Sequence, residues 1–181
     1  EKCIAKYATN EDGKASERVV DAVFFGDNTH CRLFRTEKRK LLFFLDNYLK
    51  NDISLSAAGL VNHLDPEKYD ITYSVGGDKN LLRDYYKLIS DDVRLLTRVG
   101  QPVHNMATWA ALEYCKEHAI TAADDSDLFP GEFFKSEFSR MFGDAQFDCI
   151  FDYSGTSSNS ANLFAMQKHI KKMIWAHRDL L

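Results

Sequence analysis

A chain of 181 residues, 45% hydrophobic and 13% aromatic, can bury a core of ordinary single-domain size. Its formal net charge of −4 provides no global basic field, which disfavours nucleic acid and anionic membrane surfaces as partners. Cys3, Cys31, Cys115 and Cys149 form no CxxC pair and no His cluster stands beside them, so reduced thiols in a cytoplasmic protein are expected rather than a zinc site.

In chain order, "GKASERVVDAVFF" predicts a helix over Gly13–Phe25 with Val19, Val20, Val23 and Phe24 on one stripe and Asp12 as its N-cap. A polar, basic linker follows over residues 26–39. Lys40–Leu45 reads as a short buried strand, and its apolar run is far too short to span a bilayer. Ser54–Leu64 reads as a helix with Ala57, Leu60, Val61 and Leu64 inward. Pro66 stops it, Tyr69–Val75 is a second strand, and Asp78–Ser90 a further helix. Val93–Val99 is the third strand. Helices are predicted over Asn105–His118 and Gly131–Phe142, a strand over Phe147–Tyr153, a helix over Asn159–His169 and a last strand over Lys172–Ala176. Alternating strands and helices imply an α/β fold, a Rossmann-like parallel sheet flanked by helices with right-handed crossovers. "LLFFL" and "MIW" read as strands covered on both faces. The N-terminus carries no signal pattern, and a chain beginning at Glu1 is expected to be a piece of a longer protein.

Ligands of such sheets bind beyond the carboxyl ends of the strands, near the reversal of strand order. Three loops are thereby candidates. "DNYLKNDIS" leads to a helix N-terminus at Ser54, whose N–H groups, with Ser56 and Lys50, can hold a phosphate or carboxylate; the alternative is a plain N-cap. "DYSGTSSNS" offers hydroxyls to a polyol or sugar around Ser154 and Gly155, or merely caps a helix. "WAHRDL" places His177, Arg178 and Asp179 just past the last strand, where acid–base work or hydroxyl recognition is available. Neither GxGxxG nor GxxxxGK[ST] is present, and no cofactor is expected. The other histidines show no ligand spacing. Asp124, Asp125 and Asp127 read as a solvated loop or cap without the EF-hand pattern.

"FFLDNYLKNDISLSAAGLVNHLDPEKYDITYSV" resembles the opening of nucleotide-sugar-dependent glycosyltransferases of the GT-B fold, those of bacterial cell-wall and capsule polymer synthesis in particular. "FPGEFFKSEFSRMFGDAQFDCIFDYSGTSSNSANLFAMQKHIKKMIWAHRDLL" is similar to the later part of the same half-domain. The resemblance runs from Lys40 to Leu181. "DGKASERVVDAVF" looks like the C-terminal helix of CDP-glycerol glycerophosphotransferase domains, which build teichoic acid. The resemblances imply the tail of one transferase at 1–25, a linker at 26–39, and the acceptor-side half of a second at 40–181.

By the same resemblance, Asn51, Ile53 and Ser54 match the first family turn, Ser154 and Gly155 the second, and His177 and Asp179 the third. Their implied roles are acceptor and phosphate contacts, with His177 assisting at the reacting centre. Implied partners are a nucleotide-sugar donor, held mainly by a second half absent here, and a glycan or polyol-phosphate acceptor. The chain alone is then expected to be inactive. A cytoplasmic location is implied, with peripheral association of the full-length protein at the inner membrane face left open. Asp52 stands where the family usually has Gly; a carboxylate repels a diphosphate and reaches positive φ less cheaply, which favours acceptor hydroxyls at this turn.

Overall fold

A computed structural model describes residues 12–27, 29, 37–46, 51–76, 83–97, 102–124, 126–155 and 157–176. The chain divides into two units, Glu1–Glu37 and Lys38–Leu181. In the first, α1 spans Ala15–Phe24, and Val19, Val20, Val23 and Phe24 of its stripe are all exposed. Lys14 rather than Asp12 holds the N-cap position. Asp12 acts from two residues upstream: its carboxylate accepts the Lys14 N–H at 2.9 Å and the Arg18 guanidinium at 2.7 Å.

The second unit holds a five-stranded sheet, all parallel, in the order β3-β2-β1-β4-β5. The strands are β1 (Arg39–Leu45), β2 (Tyr69–Val75), β3 (Arg94–Thr97), β4 (Cys149–Asp152) and β5 (Lys171–Ile174). The helices are α2 (Asp52–His63), α3 (Met106–Glu117), α4 (Gly131–Phe142) and α5 (Ser158–Ala165). This is the expected α/β, Rossmann-like parallel sheet flanked by helices. Arg39, expected in the linker, instead opens β1 opposite Tyr69.

β1 sits at the centre, and its alternation feeds two cores. Leu41, Phe43 and Leu45 pack with Ala57, Ala58 and Val61 of α2. Leu42 and Phe44 pack with Phe134, Phe138 and Phe142 of α4 and with Leu163 and Phe164 of α5. The near-continuous apolar run of β1 is thus explained by helices on both faces.

β5 departs from the expectation of a strand covered on both faces. It is one of the two edge strands, exposed along its length, with Met173 and Ile174 more than half exposed. An edge strand has no outer neighbour to bury it, and Lys171 and Lys172 at its start are the usual edge guards.

The helix expected over 78–90 appears in its described part as a short helical stretch at 83–85 running into a 3-10 turn, Tyr86–Leu88. The Asn62 side chain closes that turn, donating to the Leu88 carbonyl at 2.6 Å and accepting the Ser90 N–H at 2.9 Å. α5 ends at Ala165, four residues short of the expected boundary, and the chain doubles back through Gln167 N–H to Phe164 O and Ile170 N–H to Gln167 O before entering β5.

Inside the α2-facing core, the Tyr73 and Tyr85 hydroxyls lie 2.6 Å apart, and the Tyr85 hydroxyl donates to the Ser54 carbonyl at 2.7 Å. Burial, and then the neighbouring Tyr85, push the Tyr73 phenol well above its ordinary value of 10. Above that pH the unfolded chain releases this proton and the folded chain keeps it, so the folded state binds more protons and stability falls as pH rises. Urea titrations from pH 9 to 11 should show that fall. Tyr73→Phe should flatten it by up to about 1.4 kcal/mol per pH unit while costing about 1 kcal/mol at pH 7. Equal slopes in the two proteins would mean that the phenol ionises freely in the fold.

Candidate functional site

Strand order reverses between β1 and β4, so the loops that leave their carboxyl ends lead to helices on opposite faces of the sheet. Such a reversal opens a crevice at the carboxyl rim. Two of the three sequence-predicted loops lie there on neighbouring strands.

On the β1 side the helix begins at Asp52, two residues before the expected start at Ser54. Asn51 is the N-cap, extended at φ −143° and ψ 175°, and its Oδ1 accepts the Ser54 N–H at 3.1 Å. Its carbonyl accepts the Leu55 N–H at 3.2 Å. Asn is among the strongest N-cap residues, so the helix starts directly after it. Ser54 is buried at 1% exposure, and Ile53 is half-buried against the core. The Ser54 hydroxyl therefore belongs to the interior, while Asn51 is half-exposed and Asp52 exposed. Asp52 has helical backbone geometry, so this position needs no glycine; its carboxylate stands in the first turn, where the helix dipole favours negative charge.

On the β4 side, Asp152 is buried and its Oδ1 accepts the Ser154 N–H at 2.8 Å, a local turn of the Asx kind. Gly155 has φ +77°, a left-handed conformation that a side chain would strain. The turn then reaches Ser157, the N-cap of α5, whose Oγ accepts the Ser160 N–H at 3.4 Å. The Ser154 and Ser160 hydroxyls lie 2.6 Å apart, and Ser160 also donates to the Ser157 carbonyl at 3.0 Å. The serines that the sequence offers to a ligand thus also build their own turn, and Ser154 and Gly155 remain half-exposed on it.

Tyr153 joins the two sides. Its ring lies in the same apolar cluster as Leu45 and Ala57, and its phenol interacts with Ser56 of α2. Burial pushes that phenol above its ordinary value, with the nearby Ser56 hydroxyl pulling the other way. Trp175 stacks on Tyr153, ring centroids 5.1 Å apart and planes 13° from parallel. Its N–H donates to the Asp152 carbonyl at 2.9 Å, extending the β4–β5 ladder by one residue, and its side chain is 44% exposed. The sequence reading assigned "MIW" to a covered strand and so missed this residue. The signal lay in the preceding Lys171 and Lys172, which mark an edge.

His177, Asp179 and Lys50, expected at this rim, lie outside the described residues. Among the described residues no group of His, Cys, Asp or Glu could hold a metal ion, and no helix is long and apolar enough to cross a membrane. His63 and His118 each bond the carbonyl four residues back in their own helix, at 2.7 and 2.9 Å. Asp124 folds onto the N–H and hydroxyl of Thr121 at 2.6 and 2.7 Å in an exposed turn, the solvated loop of the two readings offered for it.

No protein-family model and no curated protein matches the chain. Among solved structures it is similar to the C-terminal domain, residues 78–226, of the PF1911 hydrogenase from Pyrococcus furiosus. That similarity stands at 12% identity and a TM-score of 0.42, over 78% of this chain and 95% of the other. A likeness of that size carries no inference about activity.

The structural share of Asn51 can be measured apart from any ligand. Asn51→Ala should cost about 1 kcal/mol in urea unfolding and Asn51→Ser a few tenths. Equal losses in the two variants would show that the side chain does not cap α2.

Proposed function

We propose that residues 40–181 form the acceptor-side half-domain of a nucleotide-sugar-dependent glycosyltransferase of the GT-B fold, working in cell-surface polymer biosynthesis of the teichoic acid or capsule type. The donor is held mainly by a second half, and residues 1–25 belong to a preceding glycerophosphotransferase-like domain. The full-length protein works in the cytoplasm, at the inner face of the membrane.

The observation that carries this reading is the adjacency of β1 and β4 at the reversal of strand order. It brings the Asn51–Ile53 turn and the Ser154–Gly155 turn, which bear the family-like motifs, to one rim. In the proposed reaction the glycosidic bond to the donor phosphate breaks while an acceptor hydroxyl attacks. Charge grows on the leaving phosphate, where N–H and hydroxyl donors lower the barrier. Asn51 and Ser154 supply polar contacts to the acceptor, Ile53 helps shape the turn, Gly155 permits close approach, and His177 and Asp179 handle the acceptor hydroxyl.

A second reading, an accessory region of a CDP-glycerol glycerophosphotransferase that docks polymer or a partner, gains from the β1 side. There the Asn51 side chain already takes a helix N-terminal N–H and Asp52 adds a carboxylate, which leaves little for a donor diphosphate.

Incubated with a nucleotide sugar and a poly(glycerol phosphate) acceptor, the purified 181-residue chain is expected to transfer no sugar; robust turnover would sink the half-domain assignment. In the full-length protein, His177→Ala should lower kcat by about a hundredfold or more with the circular dichroism spectrum unchanged. Because position 52 is helical, Asp52→Asn removes charge without a backbone change. Tighter donor binding in that variant would place the diphosphate at this turn, and unchanged binding would leave the turn to the acceptor.

A further inference from the structure

We propose that Trp175, backed by Tyr153, is an aromatic shelf that takes the apolar face of a neutral carbohydrate ring. The choice of a sugar rests on the function proposed above; the shelf itself rests on geometry. Tyr153 is buried at 1% exposure, while Trp175 keeps 44% of its surface in solvent, so one face of a rigid aromatic pair is presented outward. The Trp175 ring is held by the stacking and its backbone by the N–H bond to the Asp152 carbonyl, and a ring held before binding loses little entropy on binding.

The position agrees with a ligand site: Trp175 follows β5 directly at the carboxyl rim, and the residue after Tyr153 is the half-exposed Ser154. A sugar ring offers C–H groups on its face and hydroxyls on its edge. The exposed indole face matches the C–H groups, and the hydroxyl edge is left to solvent and the rim. Among the described residues of this strand the cations are Lys171 and Lys172, at its amino end, with Lys172 about 10 Å from Trp175 at the usual rise per residue. Met173, two residues before Trp175, shares its side of the strand and is 53% exposed, which widens the apolar strip beneath the ring.

Trp109 and Trp175 are the two tryptophans of the chain, so Trp109→Phe leaves Trp175 as the sole indole emitter. Titration of that protein with cellobiose should give a saturable change in tryptophan emission in the millimolar range, and glycerol should give none. Ligand-observed NMR on Trp175→Ala should show cellobiose affinity reduced by about two- to tenfold, with Trp175→Phe retaining part of it. The Phe variant keeps the test sharp if the Ala variant misfolds. No emission change with cellobiose, or equal affinity in all three proteins, would overturn the proposal. So would saturation by uridine monophosphate without response to cellobiose, which would make the shelf a nucleobase site. These measurements need no donor half and no transfer. Cellobiose binding without transfer in the full-length protein would sink the glycosyltransferase reading alone, and transfer without a response at Trp175 would sink the shelf alone.

Discussion

The second unit depends on β1 being buried on both faces. Its backbone pairs with β2 along Arg39–Leu45 and with β4 along Leu41–Phe44, so both rows of its peptide groups are spent within the sheet. Its side chains divide between the two helix layers. Such a strand cannot set its own register by alternation, since a slip of one residue exchanges one apolar row for another. Polar contacts at its ends supply what the side chains lack. The Asp148 carboxylate accepts the Lys40 N–H at 2.7 Å while the Asp148 N–H donates to the Lys40 carbonyl at 2.8 Å, which pins β4. At the far end, Gly76 and Tyr153 donate N–H to the carbonyls of Leu45 and Phe44. Asp70 and Arg94 pair across β2 and β3 at 2.9 Å, but at the surface, where such a pair contributes little energy and mostly direction.

Register at β1 fixes the rim. Tyr153 continues β4 by one residue, and with Phe44 opposite Asp152 its ring falls on the side of Leu45 and α2. From there it meets Ser56 above and Trp175 beside it. The Tyr85 hydroxyl reaches the Ser54 carbonyl from the same side, so the first turn of α2 is held by the core as well as by its cap. The first turn of α2 is therefore held through the 83–90 segment, backed by Tyr73 of β2, neither of which is near it in sequence.

The sequence discloses what depends on period and composition. The parallel pairing of a Rossmann-like sheet follows from alternating apolar runs and helical stripes, and Gly131–Phe142 was legible to the residue because Phe134, Phe138, Met141 and Phe142 repeat at helical spacing. Position in the sheet was less legible. "LLFFL" and "MIW" look alike as strings, yet one is central and the other is an edge, because coverage depends on which strands lie outside. The caps misled for a related reason. Asn51, Asp52 and Ser54 all favour a helix start, and only the competition among them, won by Asn51, sets the boundary. The Tyr153–Trp175 stack joins residues 22 apart in sequence through strand pairing, and neither one signals the other.

The rim that results is uneven, and the unevenness bears on what it can recognise. At α2 a helix N-terminus could attract an anion, but the chain has met that demand itself with the Asn51 amide oxygen and the Asp52 carboxylate. The absent glycine is then no defect in a phosphate turn, since a helical residue at position 52 is what a capped α2 requires. Across β4 and β5 the surface changes character to a left-handed glycine, half-exposed serine and a stacked indole. Those groups hold rings and hydroxyls better than charge. Among the described residues, a neutral, hydroxylated ring lying from the β4 turn toward β5 suits both halves of the rim, whereas a diphosphate at α2 would have to displace or outweigh a carboxylate the fold has already placed there.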